Sequence, residues 1–377
     1  MTSTADPHTT VTQIDDGIVR TVRSLADGRQ IIYYDRESTS TARTVIDHRA
    51  LDDAPTHTEI RRDPLLDQWV IVAGHRQART FLPPTSECPL CPSRGDQLTE
   101  IPEPDYEVVV FENRFPSLMM DATSEVEDLQ TRPGLGRCEV VTFTSDHSSS
   151  LSQVSPARMR LVLEAWIDRT RELSALEGVE YVFVFENRGV EIGVTLPHPH
   201  GQIYAYPFVP PRDQRMRDVA RLHRETTGRN VYEDAIGAEE ADGRRIVYSG
   251  EAWVAFVPRA ARWPFEIQLF TRRPISRLTD LNEAERQEFS QAYLAILRGL
   301  DHVLGVPMPY ISAWHQAPVH ADDLDSRLFL EIFSLRRAAE KLKYLAGSES
   351  AAWVWINDIS PEQAADALRE AIVGAGT

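Results

Sequence analysis

The stretch 140-VVTFTSDHSSSLSQVSPARMRLVLEAWIDRTRELSAL-176 reads as a buried strand, a polar loop and a long amphipathic helix. The same order recurs, at an offset of 127 and without a gap, in 267-IQLFTRRPISRLTDLNEAERQEFSQAYLAILRGLDHV-303. The offset aligns Phe143 with Phe270. Coincidence between two common strand–helix patterns is the alternative explanation. The shared apolar register and the shared cap positions together favour an internal duplication.

Both helices of this repeat begin after a residue that caps helices well, Ser155 in the first copy and Asn282 in the second. Their apolar residues recur at helical spacing, which predicts packing on one face of a sheet. Another strand follows each helix, in 179-VEYVFVFEN-187 and in 309-PYISAW-314. The sequence therefore predicts an α+β fold with two related halves, each an antiparallel sheet that carries a long helix.

The predicted organisation is a flexible tail over residues 1–18, a first half over 19–210 and a second half over 211–377. Prolines near residue 210 interrupt regular structure at the junction. Three further short strands are predicted to extend the sheets: 69-WVIVAG-74, 106-YEVVVFEN-113 and 252-AWVAFVP-258.

The composition excludes several classes of protein. A chain of 377 residues with 42% hydrophobic residues is long enough for a large core. A net charge of −17 argues against a nucleic-acid-binding or membrane-surface protein, which needs an excess of Lys and Arg. No apolar run approaches the roughly 18 residues of a spanning helix. Three cysteines are too few for a disulfide scaffold. We expect a soluble cytoplasmic protein.

Two of the cysteines form 88-CPLC-91, a spacing that is typical of metal or redox sites. Two thiols do not complete a tetrahedral zinc site, so histidines are needed as well. The candidates are His147, in a polar loop, and one of the two histidines of 198-HPH-200. Cys138 begins a predicted strand and is interpreted as a core residue. A Cys2His2 zinc site is the favoured hypothesis.

The run 198-HPHGQ-202 places two histidines one residue apart, with a proline before each. On an extended chain they share a face, and proline restricts the backbone. Gly201 has no side chain to block an approaching anion. This pattern suits one histidine that binds a metal and a neighbour that attacks phosphorus, with Gln202 donating to the phosphoryl group. The alternative is a proline-rich turn whose histidines satisfy local hydrogen bonds.

Basic residues form a third candidate set. Arg76 and Arg79 follow a predicted strand and are three residues apart. Guanidinium groups pair well with phosphates. A solvated strand end is an equally good interpretation of this pair.

Several motifs occur in an order that resembles the galactose-1-phosphate uridylyltransferase family, a branch of the histidine-triad superfamily. The resemblance extends from about Arg61 to the C-terminus. Its motifs are 61-RRDPLLDQWVIVAGHRQAR-79, CPLC, 111-FENRFPSL-118, SDHS, 185-FENRG-189, HPHGQ, 263-WPFE-266, 314-WHQAP-318 and 341-KLKYLAGSES-350.

The resemblance implies a two-step exchange in galactose metabolism, the Leloir pathway. His200 would attack the α-phosphorus of UDP-glucose and release glucose 1-phosphate. Galactose 1-phosphate would then take the uridylyl group from the histidine to give UDP-galactose. Gln202 matches the glutamine that stabilises the phosphoryl group.

The resemblance also implies roles for further residues. Residues 19–210 would hold the zinc and the nucleophile, and 211–377 would contribute to the sugar phosphate site. A homodimer is the family precedent. The implied substrate-binding residues are Arg76, Arg79, Asn113, Asn187, Thr195, Lys343 and Glu349. The implied ligands of a structural zinc are Cys88, Cys91, His147 and His198.

The chain departs from the family pattern at a second metal site that some members carry. That site uses a glutamate and three histidines. His315 is retained, but Phe329 and Glu331 occupy histidine positions, and the glutamate position aligns near Met216. Phenylalanine cannot ligate a metal, so no second metal site of the usual form is expected.

A second departure is the segment 351–353, where Ala-Ala-Trp is bulkier than the small residues common in relatives. If it lines the sugar pocket, the acceptor sugar phosphate differs. The alternatives are therefore a nucleotidylyltransferase or phosphorylase with another nucleotide or sugar 1-phosphate, a histidine-triad hydrolase, and a non-catalytic zinc protein. Gln202 disfavours the hydrolase, because hydrolytic relatives generally carry a third histidine there.

Overall fold

The computed structural model describes residues 9–14, 17–52, 56–78, 82–126, 128, 130–321 and 324–375. The strands are β1 (Thr10–Ile14), β2 (Ile18–Ser24), β3 (Gln30–Arg36), β4 (Glu59–Asp63), β5 (Gln68–Val72), β6 (Val108–Glu112), β7 (Thr131–Pro133), β8 (Arg137–Thr142), β9 (Tyr181–Arg188), β10 (His200–Tyr206), β11 (Ile246–Ser249), β12 (Trp253–Phe256), β13 (Phe265–Thr271), β14 (Tyr310–His315), β15 (Phe329–Ser334), β16 (Arg336–Ala338) and β17 (Lys341–Leu342). The helices are α1 (Pro156–Ser174), α2 (Pro211–Thr227), α3 (Val231–Asp242), α4 (Glu283–Val303), α5 (Gly347–Ala352) and α6 (Pro361–Gly374). None of these helices is long and apolar enough to cross a membrane.

The chain forms two compact units, and neither is continuous in sequence. The first unit contains residues 1–150, 161–182 and 195–208. The second unit contains residues 151–160, 183–194 and 209–377. The boundary between halves near residue 210 stays a prediction. The predicted tail over residues 1–18 contains strand β1, which pairs antiparallel with β2.

Strands of the first unit form an antiparallel sheet in the order β1-β2-β3-β6-β8-β10. The predicted strand at residues 106–113 is β6 of this sheet. The prediction that residues 69–74 extend a main sheet is wrong. They form β5, which pairs with β4 in a separate three-stranded sheet in the order β5-β4-β7. Val70 is 53% exposed, so this strand lacks the burial of a central strand.

Strands of the second unit are likewise antiparallel. Residues 185–188 of β9 pair with β14, and the order continues through β15, β13 and β12 to β11. The predicted strand at residues 252–258 is β12. A small hairpin joins β16 and β17. The predicted α+β class is confirmed.

The duplicated unit is present in both copies, as β8-α1-β9 and as β13-α4-β14. Both predicted caps form. The Ser155 hydroxyl accepts from the Arg158 amide at 3.1 Å. Asn282 Oδ1 accepts from the Glu285 amide at 3.0 Å, and the Glu285 carboxylate accepts from the Asn282 amide at 2.8 Å. The second pair is a reciprocal capping box that satisfies two donors of the first turn.

Helix α4 buries one face against strands of its own unit. The Phe289 ring lies 5.3 Å from Trp253 of β12 and 5.3 Å from Trp314 of β14. Tyr293, one turn later, stacks on Phe289 at 5.2 Å. Each such fully buried ring contributes about 2 kcal/mol relative to an exposed one.

Several elements were not predicted. Strands β1 to β3 of the first unit and helices α2, α3 and α6 of the second lie outside the repeated stretches. Pro210 and Pro211 do not simply interrupt structure; Pro211 is the first residue of α2, where its missing N–H is no loss.

Candidate functional site

Four side chains of the first unit form a cluster of soft ligand atoms. They are Cys88, Cys91, His147 and His198, and one ligand atom of each lies within 4.8 Å of the others. Among the described residues this is the one such group of three or more His, Cys, Asp or Glu side chains. All four predicted ligands are therefore brought together, in an arrangement that could hold a metal ion.

Distances inside the cluster centre on Cys91. Its Sγ lies 3.3 Å from Nδ1 of His147 and 3.6 Å from Nδ1 of His198. The two imidazole rings are 5.4 Å apart and nearly perpendicular at 79°. Both histidines thus present the same nitrogen to the cluster.

The orientation of His198 is fixed from its other side. Its Nε2 lies 2.8 Å from the Thr144 carbonyl, which can only accept, so Nε2 carries the proton and donates. Nδ1 is left as the lone-pair nitrogen toward Cys91. The Tyr106 hydroxyl accepts from the same Nε2 at 3.1 Å and donates its own proton to the Leu90 carbonyl at 3.2 Å. Tyr106 was missed from the sequence because nothing in its spacing relates it to residue 198.

Burial favours the uncharged forms of two of these side chains, His198 and Cys91. It lowers the pKa of His198 to about 4. Burial, with the neighbouring Cys88 thiol, raises the pKa of Cys91 above the ordinary thiol value. A bound cation reverses this preference, because it stabilises thiolates directly.

His200 begins strand β10, opposite Thr142 of β8. The chain bends at residues 198 and 199, so His198 is not part of the extended strand. This differs from the prediction, which placed His198 and His200 on one extended chain. Nδ1 of His200 donates to the His198 carbonyl at 2.7 Å. This bond leaves Nε2 as the nitrogen with the free lone pair. Burial lowers the pKa of His200, which favours the neutral imidazole.

Side chains on β10 alternate between two faces, with residues 201, 203 and 205 buried. Gln202 therefore shares a face with His200, as predicted. Tyr204 follows on the same face, and its hydroxyl donates to Gln202 Oε1 at 2.9 Å. The alternation was a sequence signal for Tyr204, but the bond itself was not predictable.

Arg76 and Asn113 both contact the backbone of Phe115, in the loop that follows β6. Arg76 Nη1 donates to the Phe115 carbonyl at 2.7 Å. Asn113 Oδ1 accepts from the Phe115 amide at 2.9 Å. Thr195 is partly buried, and its carbonyl accepts from the Leu82 amide at 2.8 Å. Arg79 lies outside the described residues.

Three of the predicted binding residues belong to the second unit. Asn187 lies in β9, opposite Ile311 of β14. Lys343 and Glu349 form a buried ion pair with each other at 3.0 Å. The Ala346 amide also donates to Glu349 at 3.3 Å.

The residues at the expected second-metal positions form ion pairs in this chain. His315 Nδ1 lies 2.8 Å from Asp213, a residue of α2 that was not predicted. Arg212 covers both oxygens of Glu331, at 2.5 Å each. The Phe329 ring stacks on His315 at 4.7 Å and supplies no ligand atom. These residues do not fit a metal ion. The absence of a second metal site stays a prediction.

Comparison with known proteins gives one consistent result. Residues 47–210 match the family described as galactose-1-phosphate uridyl transferase, N-terminal domain. Residues 216–373 match its C-terminal domain. Together the two matches cover most of the chain.

Individual relatives agree with the family matches. The chain is 46% identical over 363 residues to the galactose-1-phosphate uridylyltransferase of Streptomyces lividans, which covers 93% of this chain and 97% of that protein. It is 36% identical over 318 residues to the galactose-1-phosphate uridylyltransferase of Thermotoga maritima, and the match covers 83% of this chain and 98% of that protein. A solved uridylyltransferase structure is 31% identical and covers 85% of this chain and 100% of its own, with a TM-score of 0.76.

Proposed function

The chain belongs to the galactose-1-phosphate uridyl transferase family, and from this premise we propose how its residues exchange UMP between UDP-glucose and galactose 1-phosphate. The protein is a uridylyltransferase of galactose metabolism. The observation that carries the mechanism is the hydrogen bond from His200 Nδ1 to the His198 carbonyl, which leaves Nε2 as a nucleophile.

In the first step, Nε2 of His200 attacks the α-phosphorus of UDP-glucose. A P–N bond forms, and the P–O bond to glucose 1-phosphate breaks. The Nδ1 proton stays on the ring, so the uridylylated imidazole is cationic, and the His198 carbonyl stabilises that charge. The lowered pKa of His200 supports this step, because only neutral imidazole has the lone pair.

In the second step, a phosphate oxygen of galactose 1-phosphate attacks the same phosphorus. The P–N bond breaks, UDP-galactose forms and His200 returns to its neutral state. No proton is transferred in either step, so the mechanism needs no general base. Each half-reaction exchanges a phosphoanhydride bond and the same P–N bond, which suits a nucleophile that is also a good leaving group.

Other residues of the first unit would stabilise and hold the nucleotide. Gln202 would donate its amide to the phosphoryl oxygens as negative charge redistributes. Arg76 and Arg79 would neutralise phosphate charge, and Asn113 and Thr195 would bind the nucleotide. The shared loop contact of Arg76 and Asn113 supports a common role for these two.

Residues of the second unit would bind the remainder of the substrates. Asn187 would contact the nucleotide, while Lys343 and Glu349 would reach the sugar phosphate and the sugar hydroxyls. Lys343 and Glu349 pair with each other, so binding would exchange this ion pair for contacts to the sugar phosphate.

We infer that the metal of the Cys2His2 cluster is a structural Zn²⁺. Bonds of about 2.3 Å to sulfur and about 2.0 Å to nitrogen, at a tetrahedral angle, separate the two ligand atoms by about 3.5 Å. The Cys91–His147 and Cys91–His198 distances of 3.3 and 3.6 Å support this fit. Four protein ligands complete the tetrahedron, so the ion would hold the fold and would take no part in the transfer.

We also infer that the protein is a homodimer. Apolar side chains next to the Lys343–Glu349 pair are exposed, with Trp353 and Val354 each 59% and Ile356 55% exposed. A second copy of the chain would cover them. Sedimentation at several protein concentrations tests this; a monomer at all of them would contradict it.

Isotope exchange tests the two-step mechanism directly. With UDP-glucose and labelled glucose 1-phosphate but no galactose 1-phosphate, the label should enter UDP-glucose, because the first step is complete without the acceptor. His200→Asn should abolish the exchange. His223→Asn, which alters a histidine paired with Asp234, is the control and should retain it. Exchange that requires galactose 1-phosphate, or that survives in His200→Asn, would refute the covalent intermediate.

A further inference from the structure

A glutamine side chain can help phosphoryl transfer only in one of two orientations. Its amide nitrogen donates hydrogen bonds, whereas its oxygen only accepts. The donating end stabilises a phosphoryl oxygen, and the accepting end repels it. A half-turn of the amide exchanges the two ends. A residue that fixes the amide of Gln202 would therefore control the contribution of Gln202 to the reaction.

Tyr204 contacts the accepting end of that amide. Its hydroxyl lies 2.9 Å from Gln202 Oε1. The two residues are two apart on β10 and leave the same face of the strand, so the contact requires no unusual backbone. With Oε1 held by Tyr204, the amide nitrogen is directed away from it.

The Tyr204 hydroxyl keeps its proton for the bond to Gln202. Burial raises the pKa of Tyr204, and the positive charge of Arg76 offsets part of that rise. The hydroxyl is therefore protonated and donates to Gln202 Oε1. Arg76 itself donates to the Phe115 carbonyl at 2.7 Å.

The ring of Tyr204 is also held in place. It packs against the hydrophobic cluster of Ile60, Leu118 and Cys138. It meets the Tyr206 ring edge to face, at 5.9 Å and 72°. The hydroxyl therefore occupies a defined position relative to Gln202.

We propose that Tyr204 is a positioning residue for uridylyl transfer: its hydroxyl holds Gln202 Oε1 and so directs the Gln202 amide nitrogen toward the phosphoryl group. This proposal rests on the role of Gln202 in the proposed function. Tyr204 acts through Gln202 and does not contact the substrate.

Tyr204→Phe removes the hydroxyl and retains the ring. Single-turnover uridylylation of the enzyme by UDP-glucose should become about tenfold slower, the worth of one neutral hydrogen bond. Affinity for UDP-glucose should not change, because the amide orientation matters most when charge redistributes. Tyr206→Phe, the matched control on the same strand face, should label at the wild-type rate.

A double-mutant cycle separates positioning from a general structural role. In the Gln202→Ala background there is no amide to orient, so adding Tyr204→Phe should cause no further loss of rate. An equal fractional loss in both backgrounds would overturn the proposal, as would a wild-type rate in Tyr204→Phe alone.

The same assay distinguishes this proposal from the proposed function. If the wild-type enzyme forms no uridylylated intermediate, the mechanism itself fails. If the wild type is labelled and Tyr204→Phe matches it, only the positioning role fails.

Discussion

At the scale of single residues, His198 takes part in two contacts through two different groups. Its ring nitrogen Nδ1 faces Cys91 at 3.6 Å, while its carbonyl accepts from His200 at 2.7 Å. The residue that would bind the metal therefore also orients His200, the proposed nucleophile. Because the carbonyl moves with the His198 backbone, a displacement of that backbone would also displace the hydrogen-bond acceptor of His200.

Tyr106→Phe tests the support of His198 from outside the cluster. Groups that contact the far nitrogen of a ligating histidine typically change metal affinity by about 10- to 100-fold. We expect zinc affinity, measured by competition with a chromophoric chelator, to fall about tenfold. Tyr33→Phe removes a hydroxyl from the same hydrophobic cluster and is the control. Equal zinc affinity of the Tyr106 and Tyr33 variants would contradict this role.

The residues of the site were predictable to the extent that their chemistry is local in sequence. The motif CPLC indicates two metal ligands, and HPHGQ indicates a third ligand and the proposed nucleophile. Each motif places its groups within five residues. Tyr106 and Asp213 were not predictable, since they reach His198 and His315 from 92 and 102 residues away. Such contacts depend on tertiary packing, which spacing along the chain does not encode.

At the scale of elements, the pairing of β9 with β14 buries a carboxyl group. Glu186 accepts from the Tyr310 hydroxyl at 2.9 Å. Burial raises the pKa of Glu186 to about 7, an effect that the Tyr310 bond and the Arg188 charge partly offset and that Asp301 increases. Between pH 4.5 and about pH 7, Glu186 is therefore still protonated in the folded chain, whereas in the unfolded chain it has lost its proton.

Glu186→Gln should remove this pH dependence. The folded state binds the proton of Glu186 more tightly than the unfolded state does. The stability of the wild type is therefore highest at low pH and falls as the pH rises from 4.5 to about 7. Relative to the variant, the wild-type free energy of unfolding in urea should fall by about 3 kcal/mol over this window. The exposed Glu225→Gln is the control. An unchanged difference between wild type and Glu186→Gln across the window would refute the assignment.

Element prediction succeeded where periodic apolar residues and caps coincide, as in α1 and α4. It failed for α2, in which the described buried residues are only Asp213 and Ala220. A helix rich in charge gives little apolar periodicity, so its sequence resembles a loop. It failed also for β1, whose residues are mostly exposed and are specified by pairing with β2.

At the scale of the whole molecule, the metal cluster connects segments that are far apart in sequence. Cys88 and Cys91 belong to one turn, His147 to a loop after β8 and His198 to the segment before β10. A metal there closes long loops of the chain, and its binding free energy is also folding free energy. The ion is expected to matter more for stability than for the rate of transfer.

Removal of the metal tests this expectation. The wild type should contain one zinc ion per chain by elemental analysis, and Cys88→Ser should contain none. The thermal midpoint of Cys88→Ser should fall well below that of the wild type. Cys138→Ser, which alters a cysteine outside the cluster, should retain the ion. Equal zinc content in the two serine variants would contradict the ligand set.

The most direct test of the mechanism is to locate the phosphorus on the protein. Wild-type enzyme, treated with UDP-glucose and freed of glucose 1-phosphate, is digested and studied by mass spectrometry and phosphorus–nitrogen correlated NMR. The proposed mechanism predicts a uridylyl group bonded to Nε2 of His200, on the peptide that contains this residue. A group bonded to Nδ1, a group on another residue, or no adduct during turnover would contradict it.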